Sequence, residues 1–259
     1  MALTMRLSDM LATIQNAPEV EESITNRSSL YEKIYAQLRL GLMSGVYEPG
    51  DRINIRKLGK ISQTSPTPAR EAVMQLVREG ALELKPGHQP RVPVLTADQY
   101  IKIREVRVPL ERLATELATI RVTDEMLDHL IKLDHQFIDA EQRGSWKEAT
   151  SANQEFHFFI YNASGNNVLV RTIENFWLLT GPVVHKQYVS SSRLPSDSAL
   201  HSKIIDALRR RMPNEAGDLI VQDMREGSGM ILEHLRDSKI RGRGHRATQS
   251  AGVSDADVG

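Results

Sequence analysis

Residues 62–80 read SQTSPTPAREAVMQLVREG. This stretch holds a start, a body and a stop for one short helix. Ser65 or Thr67 can cap it, and a proline stands at the first helical position, where a missing N–H costs nothing. Val73, Leu76 and Val77 supply a buried face, and Gly80 closes the helix. The first turn, Thr67-Pro68-Ala69-Arg70, has no bulk except one long cation.

The flanks decide what this helix belongs to. Upstream, Leu30, Ile34 and Leu38 recur every four residues beside Tyr31, Tyr35 and Leu42, so one helical face is apolar until Gly45. VYEPGDRI is a turn built on Pro49-Gly50, and a short helix follows over Ile55 to Ile61. Downstream, ALELKPGHQPRVPVL reads as two short strands around a Pro86-Gly87 turn. Three helices and a hairpin within residues 29–95 make a winged helix-turn-helix. The second helix of such a unit lies in the major groove with its N-terminal residues against base edges. Arg70 and Thr67, with Ser65 in the same turn, are therefore candidate DNA contacts. Arg56 and Lys57 on the preceding helix can clamp the phosphate backbone, and Gly87 and His88 sit on the wing. Residues 29–95 carry ten Lys/Arg against six Asp/Glu, a net +4 within a chain whose 33 cations and 33 anions cancel. Basic excess favours phosphate contact, because bound cations release condensed counterions. Surface cations on a generic small domain would share these residue types.

Beyond Thr96 the pattern is helical, with six helices expected at about 97–120, 123–143, 145–163, 167–189, 196–211 and 213–236. The fold class is mainly α: the winged unit, then a six-helix antiparallel bundle over residues 96–240. Residues 1–28 read as an extension, with a short amphipathic helix at Leu7, Met10, Leu11 and Ile14 and a polar linker after it. Residues 241–259 read as a disordered tail. The chain has no cysteine, which excludes disulfides and thiolate zinc sites and suits a reducing cytosol. No apolar run approaches the roughly 18 residues a membrane span requires, and the N-terminus lacks a signal-peptide layout. The expected location is cytoplasmic, with no membrane partner.

Residues 29–95 resemble the DNA-binding domain of the GntR family of bacterial regulators. The match rests on "SGVYEPGDRI" closing the first helix, "TPAREAV" opening the recognition helix, "REGALEL" leading into the hairpin, and Gly87 in the wing. "IREVRVPLERLATELA" resembles the first helix of the FadR-type effector domain, FCD, and the likeness runs to about Arg236. It implies operator contacts by Arg56, Arg70 and Thr67, and a wing turn at Gly87. It also implies a homodimer on a pseudo-palindromic double-stranded operator, regulated by a small organic acid. Two departures stand out. Pro66 replaces a usual arginine, which removes a contact worth roughly 1–3 kcal/mol of base discrimination. Ile55 replaces a frequent glutamate.

Asn153 and His157 are four apart on one helical face, with His201 and Asp223 on later helices. FCD domains carry an Asp and a His four apart, then two histidines 22 apart, so Asn153 and Asp223 stand where the family has its aspartate and last histidine. Two imidazoles and a carboxylate can hold a divalent metal such as Zn, Ni or Mn, with open positions for a carboxylate ligand. The alternatives are a metal-free pocket, or a His157 that merely belongs to the core beside Phe156, Phe158 and Phe159. Arg107 can pair with an organic acid, or with Glu105 or Glu111. His185 can line the pocket, or cap its own helix. His129, Asp134 and His135 fall on a helix that reads as solvated. The rival function is a metal-dependent enzyme on the bundle, with the N-terminal unit as an interaction module. No nucleophile–base pair, phosphate loop or carboxylate dyad supports it.

Overall fold

The computed structural model describes residues 18–61, 66–190 and 198–250. The expected helix over Leu7–Ile14 and the last nine residues lie outside them. Two compact units emerge. One takes in the described residues up to Leu40 and those within Arg52–Arg91. The other takes in Gly41–Asp51 and the described residues from Val92 on.

Three helices build the first unit: α1 (Pro18–Met43) as far as Leu40, α2 (Ile55–Ile61) and α3 (Pro66–Arg78). α1 overturns the linker reading over residues 18–29, because the chain is already helical from Pro18. Proline suits a first helical position, and no glycine or further proline interrupts the run before Gly41. Ile34 and Leu38 on α1, and Ala69, Ala72, Val73 and Leu76 on α3, are each nearly or wholly buried. Val77, read as a core residue, is half-buried. The Tyr35 hydroxyl donates to Glu79 Oε1 (2.5 Å) and accepts from Arg39 Nη1 (3.0 Å), tying α1 to the residue after α3. Asn54 caps α2 by accepting from the Lys57 N–H (3.0 Å).

The wing corrects the expected two strands. Among the described residues only isolated antiparallel bridges form, Glu83 with Arg91 and Arg52 with Arg91. Glu83 and Arg91 exchange both backbone hydrogen bonds (2.8 and 2.9 Å). Pro86, Pro90 and Pro93 have no N–H to carry a ladder further. The tip is a turn, with the His88 N–H on the Lys85 carbonyl (3.0 Å) and Gly87 at φ 75°.

The second unit holds six helices: α4 (Ala97–Arg121), α5 (Asp124–Gln142), α6 (Trp146–Ala163), α7 (Asn167–Ser190), α8 (Ser198–Arg209) and α9 (Pro213–Ser250). Thr96 opens α4 with a reciprocal cap, its hydroxyl taking the Gln99 N–H and the Gln99 side chain taking the Thr96 N–H. Thr123 caps α5 in the same way from one side. Phe137, Phe156, Ile160, Tyr161, Ile173, Leu178 and Ile204 are almost fully buried. α9 continues to Ser250, past the break expected at residue 241. Among the described residues, no helix is long and apolar enough to cross a membrane.

Candidate functional site

Two surfaces gather the residues singled out from the sequence. In the first unit, Ile53, Asn54, Ile55, Arg56, Pro66, Thr67, Arg70, Gln89 and Pro90 line an open groove of about 500 Å³. Arg56, Lys57, Thr67, Arg70, Gly87 and His88 are all exposed. Ser65 lies outside the described residues. Ala69 beside Arg70 is wholly buried, so the helix is anchored by one face while its cation points outward. Among the described residues Arg56, Lys57 and Arg70 form no ion pair. Unneutralised cations on one exposed face, converging on a helix N-terminus, are the arrangement an anionic backbone needs. Asn54 and Gln89 were not anticipated. Asn54 follows the turn and precedes a helix, a capping signal that was there to read.

In the second unit a cavity of about 80 Å³ opens between helices. Arg107, Asn153, His157 and Asp223 line it as expected, together with Arg104, Glu111, Trp177 and Thr150, whereas His201, also expected there, does not. Its floor is a buried charge network. Glu111, fully buried, accepts from three donors on three helices: Arg107 Nε (2.6 Å), Tyr161 Oη (2.6 Å) and Trp177 Nε1 (3.1 Å). Arg107 also donates to Thr180 Oγ1 (3.0 Å) and lies 4.7 Å from the Trp177 ring centroid. Of its two expected ion-pair partners, Glu111 is the one it takes, in the interior rather than at the surface. Burial penalises the Arg107 charge, but Glu111 outweighs it through charge and hydrogen bond and holds the guanidinium above its ordinary pKa. Burial, then the Glu111 charge, pushes the Tyr161 phenol well up.

Beside this network stand His157, His201 and Asp223, all buried, with one ligand atom of each within 4.8 Å of the others. His157 Nε2 is 3.3 Å from Asp223 Oδ2. Burial works against the Asp223 carboxylate, yet the hydrogen bond and charge of His157, with His201 beyond, leave its pKa below the ordinary value. His201 Nδ1 meets Asp134 Oδ1 at 3.1 Å, and Phe156 stacks on the ring at 4.0 Å. Its Nε2 is buried without a hydrogen-bond partner. A histidine whose one nitrogen is held by a carboxylate, whose other nitrogen is buried without a partner, and which clusters with a second His and an Asp, has the surroundings of a metal ligand. The residues therefore fit a divalent ion.

Two readings are corrected here. Asp134 belongs to the interior, 4% exposed, although His129 and His135 on the same helix are exposed as expected. His185 does not line the cavity. It presses on Gly45, where an added Cβ would fall 2.0 Å from the His185 Cβ, and burial lowers its pKa. Gly45 (φ 70°) ends the turn after α1 and leaves no room there for a side chain.

Residues 30–92 match the bacterial regulatory proteins of the gntR family, and residues 102–226 match the FCD domain. The HTH-type transcriptional regulator McbR of Escherichia coli K12 is 31% identical over 160 residues, covering 62% of this chain and 72% of that protein. This chain belongs to the GntR family. The HTH-type regulator YdhC of Bacillus subtilis is 28% identical over 186 residues, covering 70% of this chain and 81% of its own length. The solved structure of E. coli McbR/YncC has the same fold, with a TM-score of 0.75 at 25% identity over 79% of this chain and 98% of that one. As a GntR protein with an FCD domain, the chain is a DNA-binding transcriptional regulator. The matched families and relatives are regulators, not enzymes, so the enzymatic alternative falls.

Proposed function

We propose that this GntR regulator works as a homodimer in the cytoplasm, places two winged units on a pseudo-palindromic operator, and changes operator affinity when a small carboxylate enters the FCD cavity. Arg70, Thr67 and Ser65 read the groove, Arg56 and Lys57 hold phosphates, and Gly87 and His88 approach from the wing. One observation carries the cavity's role: His157 and Asp223 line a pocket that also presents arginine, and His201, clustered with them, keeps a buried Nε2 without a hydrogen-bond partner. A closed apolar core would not leave that atom unbonded.

His157, His201 and Asp223 would hold a divalent Zn, Ni or Mn ion, with Asn153 adjacent, and the ion would supply positive charge for an acid's oxygens. The chain's own groups do the rest. Arg107 is already neutralised by Glu111, so its fixed guanidinium orients more than it attracts. Arg104, one turn earlier on α4, lines the same cavity with no ion pair among the described residues and is the better carboxylate receptor. At about 80 Å³, the space is smaller than the roughly 150 Å³ of a benzene-sized cavity, which favours an acid of few heavy atoms. The wall also includes Met43, the last residue of α1. A ligand that fits better with one position of that helix end shifts the regulator by its differential affinity.

The test is a thermal-shift screen of short-chain mono- and dicarboxylates with and without Zn, Ni or Mn, followed by operator titration with each hit. A stabilising acid should alter operator affinity, and Arg104→Ala should remove both effects. Hits unaffected by Arg104→Ala, or with no influence on DNA binding, would overturn the reading.

A further inference from the structure

The first turn of α3 is poor in groups that can read a base. Pro66 and Pro68 have no N–H, Ala69 is wholly buried, and Arg70 is its one cation. The groove beside that turn is lined from two further segments, the lead into α2 and the base of the wing, where Gln89 and Pro90 stand. Pro90 is buried, its ring fixes φ, and its carbonyl accepts the Ile53 N–H (2.8 Å). On the other side of Gln89 the wing turn closes through the His88 N–H on the Lys85 carbonyl, and His88 Nδ1 lies 3.1 Å from the Pro86 oxygen. Gln89 thus joins a held backbone to an exposed side chain that forms no hydrogen bond among the described residues. Asn54, the other amide of the groove, already gives its Oδ1 to the Lys57 N–H.

We propose that Gln89 is a base-reading residue of the operator interface, its amide taking the N6 and N7 edge of one adenine in the major groove. The inference rests on α3 lying in that groove and adds what the wing side of the same groove recognises. A free primary amide presents a donor and an acceptor side by side. Adenine presents the complement, an N7 acceptor next to an N6 donor, whereas guanine presents two acceptors and suits an arginine. Arg70 and Gln89, lining one groove, therefore divide the work between a guanine and an adenine. Gln89 carries no charge, so it releases no counterions and adds nothing to sequence-neutral attraction. Its contribution is selectivity. The anchored backbone on both sides leaves only side-chain freedom to be lost on binding.

The full-length protein is used to select its operator from a pool of random duplex DNA. Binding is then measured by fluorescence anisotropy for the selected duplex and for duplexes with each base pair replaced in turn. The wild type should disfavour replacement of one A·T pair by about 5–100-fold. Gln89→Ala should accept all pairs at that position alike, while its discrimination elsewhere, its Tm and the salt dependence of binding stay as in the wild type. 7-Deazaadenine lacks the N7 acceptor, so at that position it should weaken the wild type and leave Gln89→Ala unaffected. Gln89→Arg should move the preference there to G·C. A Gln89→Ala protein with the wild-type base profile would overturn the assignment, as would an equal loss on every sequence, the mark of a phosphate contact. Selectivity for an A·T pair that ignores 7-deazaadenine would overturn the major-groove contact. Arg70→Ala tests the placement of α3 separately, because its profile should flatten at a different base pair. A wild type that enriches no sequence would overturn both.

Discussion

Gly181→Ala should destabilise the protein although alanine is the better helix former. Gly181 sits inside α7, where replacing glycine by alanine is worth about 1 kcal/mol in favour of the helix. A Cβ at this position would lie 2.5 Å from the Leu42 carbonyl oxygen, 2.8 Å from the Met43 Cα and 2.9 Å from the Met43 oxygen. Non-bonded carbons rest at about 3.5–4.0 Å, and these neighbours are backbone, which cannot swing aside as a side-chain tip can. Relief requires α7 and the end of α1 to separate by several tenths of an ångström or more. Overpacking of this kind costs about 1–3 kcal/mol, and backbone neighbours place it at the upper end. The net loss should be about 1–2 kcal/mol, a Tm drop of about 2–8 °C for a chain this size. Gly229→Ala is the control: on exposed α9 its Cβ meets nothing within 4 Å, so Tm should hold or rise slightly. Differential scanning calorimetry of the two variants decides. A Gly181→Ala protein as stable as wild type would mean that α7 and the α1 terminus do not pack this closely, and the proposed route from cavity to α1 would lose its contact.

Arg70→Ala should raise the operator dissociation constant by about 10–100-fold with no change in Tm, because the side chain is exposed and forms no ion pair among the described residues; fluorescence anisotropy measures it, and an unchanged constant removes the recognition-helix assignment. Glu111→Gln strands the buried Arg107 charge and should cost about 3–5 kcal/mol in urea unfolding, whereas a loss below about 1 kcal/mol would show the network to be solvated. The Asp223 pKa is lowered by folding, so its contribution is complete above its unfolded value near ~3.9 and disappears as pH falls through the lower folded value. Asp223→Asn should therefore lose stability at pH 6 while narrowing its gap to wild type below about pH 3, and a gap independent of pH would refute the ionised pair.

What the sequence reveals of this molecule depends on how local each cause is. The recognition helix was legible because proline, Val73, Leu76 and Gly80 act within one or two turns, and the structure keeps that helix over Pro66–Arg78. The wing strands were overread. Alternation in ALELKPGHQPRVPVL is genuine, but a ladder requires an N–H at each rung, and three prolines remove them. The start of α1 was missed for the opposite reason, since a polar run without glycine conceals a helix that periodicity alone does not announce. Asn153 and His157 were found by their spacing, whereas the His201–Asp134 pair joins residues 67 apart in sequence, beyond any local pattern.

A usable signal for Asp134 existed nonetheless. It stands four residues after Leu130 and three before Phe137, both almost wholly buried, so helical geometry places its carboxylate on the core face of α5. Glu111 repeats the case, three residues before Ala114 and four before Thr115. A charge at a core-facing position must find a partner or a ligand, because leaving it unpaired costs several kcal/mol. Charged interruptions of an apolar helical stripe thus point to buried polar sites: Glu111 lines this cavity, and Asp134 holds His201 beside it.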